Sequence, residues 1–519
     1  MSTTTFSGTA SVYVLTALSL WFGWGIRGNF GHEYGAMMPG ALAALAAVLL
    51  SGRDDWHRRI VFFAMFGALG WSFGGSISYM QVVAYTHSGE SASVLYGFAC
   101  LFVIGFLWAA LGGAGTALPA VVDQEFLNSL FLPTGIVFLL WWLQGVAIEP
   151  ALKQQGFELF WYDTDWVAAT LTLLAVLLVW VVRRRLDPAN SLILHLALGW
   201  WAGFLVLVLL LRLHMTPPRG DNWAGCLGMT FGLFWYCRQT ELHVLARAAL
   251  YSGFIGGIGF AAASMLKLVE VTSGYQTNWH SILEQTTGLF NGIAVAVVVA
   301  DLAGRTRSLT DPRDHRPWTE PFALGFVLLG ITYLNLRKNV AQWVGAKSMP
   351  AEMAGLSAWA WFNWGYVALA LAFFVLWLRH TKRPLAVMPP TWSGKGQALY
   401  LGLLWWLVAG NFERALVAFR SERLVTEGVL YLVALACTLV LLLATGRTGE
   451  PTMRETFTPA SRGRSALAAT VALGLAAATL SIVADWAIVR AIYGDRFAGH
   501  SGLHTRFRST TTTNPLENR

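Results

Sequence analysis

The densest group of residues able to do chemistry is Arg27-Gly28-Asn29-Phe30-Gly31-His32-Glu33, where three ionisable side chains fall within seven positions between two apolar stretches. An arginine at such a place holds an anionic group, His32 or Glu33 exchanges a proton, and Asn29 orients a ligand. Charge near membrane depth is costly and faces either a partner or a wet cavity. Gly28, Gly31, Gly35 and Pro39 allow a tight or broken helix at that point. The competing reading is a tight turn at the membrane surface, with Arg27 and Glu33 paired or reaching for headgroups. Position 36 is Ala, so His32-Glu33 lacks the second histidine of the zinc-protease pattern, and no metal is expected.

A second set joins Arg212, His214, Arg219, Asp221 and Asn222 around Pro217-Pro218, with Arg219 and Asp221 as its best pair. A third begins at Glu284-Gln285, where helical spacing puts Glu284, Thr287, Gly288 and Asn291 on one face. That stripe must avoid lipid. It lines a pathway, with Glu284 as a coupling carboxylate, or its Thr and Asn bond a neighbouring helix. Trp161-Tyr162-Asp163-Thr164-Asp165-Trp166 is either a carbohydrate-stacking cluster or an interfacial re-entry segment. The candidate substrate-binding residues are therefore Arg27, Asn29, His32, Glu33, Arg219, Asp221, Glu284 and Asn291, with no catalytic residue assigned. No Walker A, dinucleotide-binding, nucleophile-elbow or haem-attachment motif stands in a meaningful context, so no cofactor is expected. Cys100, Cys226, Cys237 and Cys437 lie in or beside apolar stretches without CxxC spacing and point to neither disulfides nor a thiolate site.

The elements that must position these groups are membrane helices. Of the 519 residues, 55% are hydrophobic and only 12% charged, and the mean hydropathy is +0.53, far from the usual soluble composition. Apolar runs of membrane-spanning length recur near 10–27, 36–51, 60–82, 94–118, 127–147, 167–182, 190–211 and 223–237. Others follow near 246–267, 282–303, 320–336, 357–378, 397–411, 425–445 and 466–490. The fold class expected is thus an all-α polytopic integral membrane protein of about 14–15 transmembrane helices. With a cytoplasmic N-terminus, inner connections carry Arg53, Arg58, Arg59, Arg183, Arg184 and Arg185, and, leaving out the last 30 residues, hold about 20 Lys plus Arg against about 11 outside. The net charge of +8 is spread in such clusters between spans, which read as topology signals and not as a nucleic-acid surface.

Arg27-Gly28-Asn29 after the first span parallels Arg219-Gly220-Asp221-Asn222 after the seventh, and Gly67 to Ser78 parallels Gly253 to Ser264 in the same order. A six-plus-six parallel repeat would produce this, as would the compositional likeness of glycine-rich spans. The repeat reading gives residues 1–189 as a first six-helix repeat, 190–384 as a second, 385–492 as additional C-terminal helices and 493–519 as a polar, disordered tail. Two sets of six helices, a basic loop after the second span and a basic link between halves resemble the major facilitator superfamily in outline. The loop Ser51 to Arg59 contains Gly, Asp and Arg as that family's loop does, in a different order. Such a likeness implies a fold outline and no substrate.

The function expected is a secondary membrane transporter, proton-coupled, for a small polar or anionic solute, in the cell inner membrane. Its partners are then the lipid bilayer and a small-molecule solute. Two alternatives stay open: a membrane-embedded transferase acting on a lipid-linked substrate, with His32 or Glu33 as base, and a non-catalytic binding or assembly component.

Overall fold

The computed structural model describes residues 4–31, 33–74, 77, 79–156, 166–215, 221–309, 316–417, 421–445 and 463–494. The Trp161 to Asp165 cluster and the tail beyond 494 lie outside them. The principal helices are α1 (Thr4–Phe30), α2 (Glu33–Leu49), α3 (Ile60–Gly74), α4 (Ser91–Val121) and α5 (Gln124–Leu143). Next come α6 (Trp166–Arg183), α7 (Pro188–Gly203), α8 (Asn222–Gln239), α9 (His243–Ser264) and α10 (Trp279–Ala303). The last are α11 (Thr319–Gly325, carried on by further helical turns to Gly345), α12 (Ala358–Arg379), α13 (Trp392–Val417), α14 (Leu424–Thr445) and α15 (Gly463–Tyr493). Every span expected from the sequence contains one of these helices.

Among the described residues, ten helices are long and apolar enough to cross a membrane: α4–α7, α9–α12, α14 and α15. Helices α2 and α3 are apolar but shorter, and Gly, Trp and charged residues interrupt α1, α8 and α13. Leu210, Leu443, Leu473 and Leu480 each leave 72–74% of their surface exposed, which suits hydrocarbon and not water. The chain is an all-α, multi-pass membrane protein. Its one described hairpin, Glu352–Met353 paired with Leu356–Ser357, turns through Ala354 and Gly355, both at positive φ, and leads into α12, which Ser357 caps.

Six helices close a ring. Contacts run from α1 to α2, α2 to α3, α3 to α4, α4 to α9, α9 to α10, and from α10 back to α1. Small residues let the backbones approach: a Cβ added at Gly292 of α10 would lie 2.4 Å from Ala17 Cα of α1. One added at Gly70 of α3 would lie 2.6 Å from the Leu111 carbonyl of α4. Helices α5–α8 pack beside α3 and α4, α13 and α14 cover α2 and α1, and α15 lies along α9 and α4.

The connection between α2 and α3 ties one end of this ring. Buried Arg53 holds Asp55 through two bonds of 2.8 Å and donates to the Ala303, Thr306 and Arg307 carbonyls at the end of α10. Arg59 donates to the Pro119 and Val122 carbonyls at the end of α4. These arginines, read from the sequence as topology signals, also satisfy helix-end carbonyls that would otherwise be orphaned. Burial pushes the Asp55 carboxyl up, but the Arg53 hydrogen bonds and charge and the Leu309 N–H outweigh it and hold the group below the usual carboxylate value.

Candidate functional site

The final turn of α1 presents four consecutive residues to different neighbours, because each helical step rotates by about 100°. Arg27 turns into the ring, Gly28 lies across from His280, Asn29 turns to α13, and the Phe30 carbonyl accepts from Lys338 of the α11 extension. Gly31 follows at φ +105°, and a Cβ there would lie 2.8 Å from Lys338 Nζ. Glycine is thus required both by the backbone and by the lysine.

Inside the ring, Arg27 Nη2 donates to Glu284 Oε1 of α10 at 2.7 Å, and both side chains are at most 3% exposed. The Tyr79 hydroxyl, from the link between α3 and α4, donates to the same oxygen. The guanidinium lies over two indoles, 4.9 Å from the Trp24 ring centre and 5.1 Å from that of Trp108, where cation–π attraction replaces part of the lost hydration. Tyr79 stands edge-on to Trp108 and Phe260, which fixes its hydroxyl on the carboxylate. Gly288 makes the approach possible, since a Cβ there would meet the Leu20 carbonyl at 2.5 Å. One turn before Glu284, His280 places Nε2 3.9 Å from Oε1 with half of its side chain exposed.

Asn29 belongs to a second chain of bonds. Its Nδ2 donates to Asn411 Oδ1 at 3.0 Å, and Asn411 Nδ2 donates to Glu427 Oε2 at 2.6 Å, an oxygen that also accepts from Tyr431 at 3.3 Å. Asn335 and Asn339 of the α11 extension donate to the Tyr34 and Gly410 carbonyls and lock α2 and α13 around the same break.

The structure therefore brings Arg27 and Glu284 together and sets Asn29 beside them. Asn291, two turns further along α10, is 1% exposed, and neither amide atom has a hydrogen-bond partner among the described residues. Thr287 spends its hydroxyl on the Leu283 carbonyl. Asp221 is fully buried and accepts from His214 Nδ1 at 2.8 Å, apart from the Arg27 pair. Burial holds its carboxyl above the usual value against the opposing His214 bond. His32 and Arg219 lie outside the described residues, as does the side chain of Glu33, which begins α2.

Sequence reasoning missed Tyr79, His280, Lys338 and Glu427. The four-residue spacing between His280 and Glu284 was a usable signal. Nothing local marks Tyr79, whose partner is 205 positions away.

Two cavities lie among α3–α9, and no Asp, Glu, Lys, Arg or His lines either. They are apolar spaces apart from the charged centre. No three His, Cys, Asp or Glu side chains group as metal ligands among the described residues. The four cysteines are buried and unpaired by disulfides.

Fold and site together define the class: a multi-pass α-helical membrane protein whose six-helix ring encloses an arginine–carboxylate pair. Comparison with protein-family models and with curated proteins finds no match.

Proposed function

We propose that this protein is a proton-coupled secondary transporter for a small anion, and that the Arg27–Glu284 pair is its switch. The single observation that carries the reading is that pair, buried inside a closed ring and built from helices 257 positions apart. Burying two charges in a bilayer protein for stability alone is a poor bargain, because hydrophobic residues of similar volume serve at least as well. A pair that opens has a use for both charges.

The chemistry supports an anion. The Trp24 and Trp108 indoles flank the guanidinium and Trp71 stands edge-on to Trp24, and none of their buried N–H groups has an acceptor among the described residues. The ring centre is thus rich in donors. A proton on Glu284 neutralises the carboxylate and leaves Arg27 to hold the anion. Loss of that proton restores the pair and expels the anion, so one proton moves with each monovalent charge. With the N-terminus in the cytoplasm of an inner-membrane protein, the Arg27 end faces outward.

The test is uptake of radiolabelled nitrate, chloride and acetate into proteoliposomes under an imposed pH gradient. Uptake of at least one anion should follow the gradient, vanish in Arg27→Ala, and continue without gradient dependence in Glu284→Gln. Gradient-driven uptake that survives Arg27→Ala would sink the reading.

A further inference from the structure

We infer that His280 is the entry relay through which protons reach Glu284; this deepens the transport reading above and rests on it. Arg27, Glu284 and Tyr79 are each at most 4% exposed, so none of them meets bulk water appreciably. His280 does. Its side chain is 52% exposed, yet its Nε2 stands 3.9 Å from Glu284 Oε1, a short rotation from hydrogen-bond distance.

Its orientation is restrained as well. The imidazole lies nearly parallel to the Tyr79 ring, at 9° and 6.4 Å between centres, and the Tyr79 hydroxyl donates to the oxygen that the imidazole faces. The Nε2 edge of the histidine is therefore held toward the carboxylate, and half of the side chain is exposed. The way in is open: a Cβ added at Gly28 would meet Nε2 at 3.9 Å and nothing else within 4 Å. The charged and titratable groups facing the imidazole are Glu284 on its own helix, Arg27 from α1 and Tyr79 from the α3–α4 link.

The step balances without a further reactant. Starting as the Nε2–H tautomer, His280 takes a proton at Nδ1 from external hydronium, which leaves as water; the Nε2–H bond breaks and a Glu284 Oε1–H bond forms. Arg27 is released from its ion pair; the imidazole, now carrying its proton on Nδ1, swings outward, returns that proton to water and takes one from water at Nε2, which restores the starting tautomer.

The experiment follows the carboxylic-acid C=O infrared band after a rapid pH drop, with the full chain in nanodiscs. The Glu284 band is identified by its loss in Glu284→Gln. In His280→Gln the band should grow about a hundredfold more slowly and to the same final amplitude. Millimolar external imidazole should restore the rate in His280→Ala. Gly28→Leu, which covers the imidazole while leaving it in place, should slow the band as well. A wild-type rate in both His280 variants overturns the relay. Wild-type anion flux indifferent to the pH gradient, with His280-dependent protonation intact, overturns the transport reading and leaves the relay standing. Absence of any Glu284 band in the wild type overturns both.

Discussion

Arg27 and Glu284 stabilise each other inside the ring, so removing one leaves the other's buried charge without that counter-charge. Arg27→Ala or Glu284→Ala alone should cost about 3–5 kcal/mol, whereas Arg27→Met with Glu284→Leu should recover most of that loss and still abolish coupling. Reversible unfolding in mixed micelles measures the cycle, and a double variant as unstable as the two single losses added would refute it. A second effect concerns His57, on the α2–α3 connection, with Nε2 on the Val48 carbonyl at 3.2 Å. Burial lowers its pKa below the usual 6.5 against the opposing pull of Asp54. The folded state favours neutral imidazole, so the unfolded chain binds more protons once the pH falls below that value. The thermal midpoint should therefore drop as pH falls through about 6.5, and His57→Gln should flatten that slope. Arg27 and Glu284 were both legible in the sequence, because charge at membrane depth is conspicuous. Their partnership was not, since no local spacing relates residues so far apart.

At the level of helices, glycine sets how closely neighbours lie. A Cβ at Gly228 of α8 would meet the Gly199 carbonyl of α7 at 1.9 Å, and one at Gly199 would meet the Gly228 carbonyl at 2.3 Å. Gly228→Ala must push α7 and α8 apart, at about 1–3 kcal/mol; a lowered melting temperature in detergent checks it, and an unchanged one contradicts the close crossing. At the other end of the bundle, Arg53→Ala should free the last turn of α10. Hydrogen exchange at residues 303–309 should then rise well above the wild-type rate while exchange in the middle of α10 stays unchanged. The helices themselves were readable from apolar run length. The Arg53 and Arg59 ties were not, because a basic loop that marks topology and one that caps neighbouring helices have the same composition. The pairing of α1 with α10 was equally hidden, as packing order in a bundle leaves little trace in hydropathy.

Considered as a whole molecule, the chain is a ring of helices drawn from its beginning and its middle, jacketed by the rest. If all fifteen principal helices cross, the two ends must lie on opposite faces of the membrane. Reporter fusions ahead of α1 and after α15 should give opposite signals, and like signals would show that an even number crosses. The jacket is more than a cover, since α13 and α14 supply Asn411 and Glu427 to the bonds that hold Asn29. A chain ended before α13 should still insert but should lose gradient-driven uptake. The closed ring also imposes an order in time. Arg27 is made 257 positions before Glu284, which at about 5–20 residues per second is roughly 13–50 s of synthesis. For that interval the newborn chain carries Arg27 without the carboxylate it meets in the finished ring. The Trp24 indole is already present and that of Trp108 follows 81 positions after Arg27, so both aromatic faces are in place before α10 arrives and completes the enclosure.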